Sequence, residues 1–304
     1  MARRALSATR AADLLNFLAA HPAERFGYSE LSRRLDVNLG SMHSLLVALV
    51  ECAFLSFRAS DKTYGLGPAL IAIGDVALRS DPYVDAARAE MGQLSARRGL
   101  ESLGFVRAGG DALCVLRAGP STDPGREVEV GQRLPLIAPL AAALVAWAPA
   151  AERESWLERG GAPGDARREQ TRMLDVVRER GYAVALEVEE RRQIGEVLRR
   201  LRDDPHSPSL HADLRDLISG LRRREYQLTT SRRATYAVST ITAPVLNAAG
   251  GLELAISVQG FPSRMTLGDV TSVGEDLVEA CRAASRSAGV VAGGMDTGEI
   301  VGQA

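Results

Sequence analysis

Few residues in this chain have types and spacing suited to chemistry. His206 and His211 lie five positions apart, off the spacing that puts two imidazoles on one helical face, and no cysteine or carboxylate completes a metal set around them. Cys52, Cys114 and Cys281 are scattered, odd in number and without Cys-x-x-Cys spacing, which argues against a disulfide framework or zinc cage and leaves reduced, mostly buried thiols. Lys62 is the single lysine and stands beside Asp61, so the P-loop and Ser-x-x-Lys chemistries are absent and a Schiff-base lysine is not expected. There is no Gly-x-Ser-x-Gly, no His-Glu-x-x-His and no Cys/His constellation. The carboxylates sit mostly on charged helices, where pairing one turn apart accounts for them. We therefore expect no enzyme, no metal and no cofactor. What remains is binding chemistry: Ser41, His43 and Ser44 on one short helix, and many arginines. His43 alone is as consistent with an ordinary surface histidine. The clusters Arg199-Arg200-Arg202 and Arg222-Arg223-Arg224 read first as a solvated face, because acids are interleaved with them, and second as a nucleic-acid patch.

The elements that must position these residues belong to a chain of ordinary globular composition. Its 304 residues predict about two domains, with 46% hydrophobic and 25% charged residues. The net charge is −1, so nucleic-acid binding has to come from local charge. Residues 1–65 hold eight basic and six acidic side chains, a net of only +2, with Arg3, Arg4, Arg10, Arg33, Arg34, Arg58 and Lys62 as the candidate phosphate contacts. The longest apolar stretch, 134–149, is interrupted by Pro139 and falls short of a bilayer span. No secretory signal follows Met-Ala-Arg-Arg, so no membrane association and a cytoplasmic location are expected.

Hydrophobic spacing predicts a helix over 9–20, with Ala11, Leu14, Leu15 and Leu18 on one face and Pro22 beyond its end. A second, two-turn helix begins at Ser29. A third follows Asn38, with Met42, Leu45, Leu46 and Leu49 in an apolar stripe, and ends near Cys52. Leu55 and Phe57, then Tyr64 and Leu66, alternate around a turn at 59–62 and form a hairpin that must lie against the helices. This order is that of a winged helix-turn-helix, whose second motif helix enters the major groove. Beyond it we expect a helical linker, a hairpin turning at Gly109-Gly110-Asp111, a strand at 126–130, and helices over 138–147, 152–159 and 167–180. Strands at 182–188, 236–246 and 252–259 and a closing helix over 267–287 complete the second half. The mixture predicts an α+β domain with a mainly antiparallel sheet.

The residues resemble the IclR family of bacterial transcription regulators. The resemblance rests on Ser29-Glu30-Leu31-Ser32-Arg33-Arg34-Leu35, on residues 40–49 as the recognition helix, and on Tyr64-Gly65-Leu66-Gly67-Pro68 at the end of the wing. It continues through Leu134-Pro135-Leu136, Arg180-Gly181-Tyr182-Ala183-Val184, and Thr242-Ala243-Pro244-Val245 with Ala255-Ile256-Ser257-Val258. It implies an N-terminal winged helix-turn-helix (1–75), a linker helix (76–92), a GAF-like effector domain (93–288) and a flexible tail (289–304). It also implies a regulator that binds a double-stranded operator as a homodimer or tetramer and answers to a small-molecule effector. DNA contacts are assigned to Arg33, Arg34, Gly40, Ser41, His43, Ser44, Arg58 and Lys62, and effector contacts to Leu136, Ile137, Pro139, Ala141, Ser239, Ile241 and Ser257.

This chain departs from the family in three places. Its recognition helix is almost uncharged. The segment after Leu136 lacks the histidine, hydroxyl and Gly-Lys the family commonly carries, so the effector is larger and more apolar, or is held from elsewhere, or does not bind. About 45 residues (190–234) are inserted, and their apolar stripes, Ile194/Val197/Leu198/Leu201 and Leu210/Leu214/Leu217/Ile218/Leu221, predict a helical hairpin with Ser207 capping and Pro208 at the first helical position. The stripes face either their own domain or another subunit. One rival reading is a protein-interaction module with a degenerate winged helix and no specific DNA binding; a second is a small-molecule enzyme built on the GAF-like half.

Overall fold

The computed structural model describes residues 5–121, 128–161, 164–221, 234–261 and 264–296. Arg3, Arg4, Arg126, the cluster Arg222–Arg224 and residues 297–304 of the expected tail lie outside them. The chain divides into two compact units, residues 1–80 with 195–215, and residues 81–194 with 216–304.

The first unit begins α1 (Leu6–Ala19), β1 (Phe26–Gly27), α2 (Tyr28–Arg34), α3 (Leu39–Glu51), β2 (Leu55–Arg58), β3 (Thr63–Leu66) and α4 (Ala69–Ser80). The expected hairpin forms with Leu55 opposite Leu66 and Arg58 opposite Thr63. A strand too short to show alternation, β1, adds to its other edge in the antiparallel order β1-β3-β2. Leu14, Phe17, Leu18, Phe26, Leu31, Leu35, Val37, Met42, Leu46, Leu49 and Leu55 close the core. At about 2 kcal/mol for each large apolar side chain buried, this seat stabilises a hairpin that would not stand alone. Residues 195–215 come from the expected helical hairpin, α9 (Glu189–Asp203) and α10 (Pro208–Gly220), and within this unit Val197, Leu210 and Leu214 are buried.

The expected linker helix over 76–92 is two helices. α4 stops at Ser80, and α5 (Pro82–Arg98) starts afresh because the Asp81 carboxylate accepts from the amides of Tyr83 and Val84 (3.0 and 3.1 Å) with proline at the first position.

The second unit is built on a six-stranded antiparallel sheet of β4 (Glu101–Ala108), β5 (Asp111–Ala118), β6 (Arg133–Pro135), β7 (Ala183–Leu186), β9 (Val238–Leu246) and β10 (Leu252–Gln259), in the order β6-β5-β4-β10-β9-β7. A two-residue ribbon pairs β8 (Thr235–Tyr236) with β11 (Met265–Thr266). One face is covered by α5 and α11 (Leu267–Asp296): the Cys281 thiol donates to Ala243 O and the Ser285 hydroxyl accepts from Leu246 N. The fit is close enough that a Cβ on Gly274 would lie 2.4 Å from the Tyr182 ring. On the other face Leu103, Phe105, Cys114 and Ala255 meet side chains of α6 (Ala142–Val145), α7 (Ala150–Gly160) and α8 (Gly164–Arg180), among them Trp156, Leu157, Leu174 and Val177.

Three expectations are corrected. Residues 128–130 are not a strand, and the sheet edge is β6 instead. The helix over 138–147 shrinks to Ala142–Val145, because Pro139 cannot donate within a helix and Ala141 adopts a left-handed conformation before the first turn. The closing helix continues through 289–296, which were assigned to the tail.

Candidate nucleic-acid interface and effector face

The recognition segment is seated from beneath. Met42, Leu46 and Leu49 bury one stripe of α3, and the Asn38 side chain caps its start by accepting from Ser41 N (2.9 Å). The opposite stripe is therefore turned outward: Gly40, His43 and Ser44 are exposed, with Leu39 at 51% and Val47 at 43%, and Ser41 is half-buried. Tyr28 supports this surface. Its hydroxyl donates to Leu39 O (2.8 Å) and its ring stands edge-on to His43, with centroids 6.1 Å apart. The Ser44 hydroxyl donates back to Gly40 O (3.2 Å), while the His43 ring nitrogens bond nothing among the described residues.

The wing carries Arg58 and Lys62. Arg58 pairs with Asp61 across the turn (3.2 Å). The Thr63 hydroxyl, with Arg58 second, holds the Asp61 carboxyl below its ordinary range. Lys62 is exposed with a left-handed backbone at the tip. The wing is fastened by Arg25, a residue missed in the sequence. Its Nε donates to the Thr63 hydroxyl (3.2 Å), one terminal nitrogen to the Ser56 hydroxyl (3.0 Å), and the other to the carbonyls of Ser56 and Thr63 (2.8 and 3.2 Å).

The two arginines ending α2 separate. Arg33 is exposed and makes no ion pair among the described residues. Arg34, expected as a phosphate contact beside it, is turned inward. It pairs with Glu30 (3.0 Å), lies 5.9 and 5.6 Å from the ring centroids of Phe17 and Phe26, and donates to the carbonyl of Asp203 (2.8 Å).

Asp203 ends α9, so the inserted hairpin is docked on the back of the helix-turn-helix. Its carboxylate lies 3.0 Å from Nε2 of His21, whose Nδ1–H donates to Phe17 O (2.7 Å). Both ring nitrogens therefore lie within hydrogen-bond distance of an oxygen. His21 is 7% exposed and wedged against Phe17 and Phe26. The only local sign of its role was its place just past the end of α1, where a histidine can bond a terminal carbonyl.

In the second unit the expected effector residues do not form one set. Ser257 on β10 accepts from the Thr242 hydroxyl on β9 (2.9 Å), on the sheet face that carries Leu103 and Ala255. On the same sheet, β4 brings Glu101, 1% exposed, under Arg117 of β5 (2.7 Å) and Gln259 of β10 (2.8 Å). Ile241 precedes Thr242 and opposes Val258, so strand alternation turns it to the opposite face, where it is fully buried. It cannot share a chamber with Ser257. Ser239 falls in the irregularity where β9 slips against β7. Leu136 and Pro139 are buried, Ile137 and Ala141 half-buried. A cavity of about 440 Å³ lies elsewhere, lined by Arg107, Gly109, Leu136, Val145, Glu152, Ser155 and Arg159, and takes only Leu136 from the expected set. Within it Arg107 pairs with Glu152, and Arg159 donates to Leu136 O (2.8 Å) and to the Ser155 hydroxyl (2.7 Å). Among the described residues no three His, Cys, Asp or Glu side chains are grouped to hold a metal ion, and no helix is long and apolar enough to cross a membrane.

An exposed helix stripe over an apolar seat, flanked by a basic wing, defines a winged helix-turn-helix protein. Residues 7–59 match the family model of the IclR helix-turn-helix domain, and these residues carry that domain. Over most of its length the chain has the fold of solved IclR-type structures. It is similar to the IclR transcriptional regulator of Alicyclobacillus acidocaldarius (22% identity, TM-score 0.67, 94% of this chain and 100% of that one). It is also similar to the IclR protein of Thermotoga maritima (18%, 0.56, 93% and 98%). A third similar structure is an IclR homolog of Microbacterium hydrocarbonoxydans complexed with 4-hydroxybenzoate (18%, 0.62, 93% and 98%). No match is found among curated proteins.

Proposed function

We propose that this chain is a cytoplasmic transcription regulator that binds double-stranded DNA through α3 and the wing, as a homodimer, under the control of a small-molecule effector bound by the second unit. The observation that carries the reading is the outward stripe of α3, where Leu39, Gly40, His43, Ser44 and Val47 stay exposed while Met42, Leu46 and Leu49 are buried beneath them. Arg33, Arg58 and Lys62 supply phosphate contacts; Arg34 positions α2 rather than touching DNA. Few cations mean modest affinity per subunit, so two half-sites are needed. The apolar side chains of α4, Ile71, Ile73 and Val76, are 76%, 50% and 56% exposed on a helix with no buried residue, which supports pairing with a second copy. The complex of a structurally similar protein with 4-hydroxybenzoate supports an effector of small organic type. Among the described residues, the Ser257–Thr242 pair and the cavity between Arg107 and Arg159 offer polar groups to orient one.

The test is affinity for duplexes selected from a random-sequence pool, measured against salt. A regulator loses affinity steeply as salt rises, with a slope set by its phosphate contacts, and Arg33→Ala weakens binding to all sequences alike. No preference for any duplex at any salt would refute the reading. Adding 4-hydroxybenzoate tests the effector arm: a shift in duplex affinity that Ser257→Val or Arg159→Ala abolishes locates the site.

A further inference from the structure

How this helix tells one base pair from another follows from what it lacks, and the inference rests on the DNA-binding reading above. The strongest readers of base edges are bidentate: arginine or lysine on guanine, asparagine or glutamine on adenine. None of these stands between Leu39 and Glu51. Asn38, just before the helix, already spends its side chain on the Ser41 amide (2.9 Å), and the Ser44 hydroxyl is turned to Gly40 O (3.2 Å). Hydrogen-bond readout is reduced to His43 and Ser41.

The same surface has something else to offer. Leu39, His43 and Val47 are spaced i, i+4, i+8 and form one row along the outward side of α3. The apolar ends of that row are 51% and 43% exposed, although Met42 and Leu46 of the same helix are fully buried. Large apolar side chains left outward on a helix that has an apolar seat elsewhere point to a partner with apolar groups of its own. The row spans about 12 Å, the length of three to four base pairs. It carries no acidic side chain before Glu51, and Arg33, Arg58 and Lys62 stand on the neighbouring elements, so the partner it suits is polyanionic. On the major-groove edge of standard base pairs the apolar group is the thymine C5-methyl.

We propose that α3 reads thymine methyl groups through Leu39 and Val47, with His43 between them adding a hydrogen bond, so that the half-site is specified largely by where its thymines lie. The test uses the full-length protein and a duplex enriched from a random-sequence pool, resynthesised with deoxyuridine in place of thymidine one position at a time. Uracil pairs as thymine does and lacks only the methyl. At each contacted position affinity falls about fourfold, the worth of one buried methyl-sized group. In Val47→Ala the penalty disappears at one of those positions, and in Leu39→Ala at another, three or four base pairs away. If the duplex stays selective while uracil is neutral everywhere, the inference is overturned and the regulator reading stands. If uracil is neutral and Val47→Glu instead shifts the subunit assembly of the DNA-free protein, the row faces a second copy, which also overturns it. Failure to enrich any duplex refutes the regulator reading itself. The uracil arm needs no variant, so misfolding cannot decide the outcome.

Discussion

Replacing Asp203 with alanine should loosen the inserted hairpin from the helix-turn-helix while leaving both elements formed. The substitution removes the carboxylate that faces Nε2 of His21 at 3.0 Å and spares the Asp203 carbonyl that accepts from Arg34. A hydrogen bond involving charged partners is worth about 1.5–3 kcal/mol. The upper end is out of reach, since the Asp203 side chain is 56% exposed and water replaces part of what is lost, whereas the His21 side chain is 6% exposed and loses a partner it cannot readily replace. The expected cost is therefore about 1 kcal/mol, a shift of about 4–8 °C in the melting of a unit this size. His21→Leu keeps an apolar body between Phe17 and Phe26 and removes both ring nitrogens, which allows a double-mutant cycle by denaturant unfolding. A coupling of about 1 kcal/mol, with hydrogen-exchange protection lost at the end of α1 and in α9, supports the latch. Coupling below about 0.3 kcal/mol would show that the contact contributes nothing to holding the hairpin, and the argument from His21 would fail.

Other expectations follow from individual side chains. Arg58→Ala and Lys62→Ala should each flatten the slope of log affinity against log salt by about 1 without changing which duplex is preferred; a change of preference would mean that the wing reads bases. Of the three thiols, only Cys52 should be alkylated in the native protein at pH 8, as mass spectrometry would show. Cys52 is exposed, whereas burial raises the Cys114 thiol to about 12 and Cys281 higher still. Modification of Cys281 before unfolding would place α11 off the sheet. Asp269 should make stability fall in acid. The Thr266 hydroxyl and amide, both donating to its carboxylate, depress its folded pKa below 3.8, so its contribution is complete above that value and is lost as pH drops through the folded one; Asp269→Asn should remove this part of the acid limb.

What could be seen in the chain depended on how far apart the partners lie. The seat of α3 was legible because Met42, Leu46 and Leu49 repeat at the helical period within a single helix, and the outward residues followed by difference. The break at Asp81 was equally local, since an acid followed by proline marks a helix start, yet the apolar spacing of residues 69–94 ran across it and concealed it. Ile241 went to the wrong chamber for a related reason. Buried Ile241, Ala243 and Val245 and the half-buried Thr240 and Thr242 alternate along β9 and announce two faces, but which face meets Ser257 is decided by the register with β10.

Arg34 belongs to another class. From its neighbours it is a cation at the end of the first helix of the helix-turn-helix motif, one position from Arg33, and the pair looks equivalent. They diverge because α2 turns one of them toward Phe17 and Phe26, and because a carbonyl 169 residues further along the chain completes its shell. The insertion that supplies this carbonyl contains two amphipathic stripes whose periodicity says that they will be covered and cannot say by what. Residues 195–203 of α9 belong with the helix-turn-helix, held there by the Asp203 carboxylate at His21 and the Asp203 carbonyl at Arg34. Any displacement of α9 then reaches α2 through Arg34 and α1 through His21.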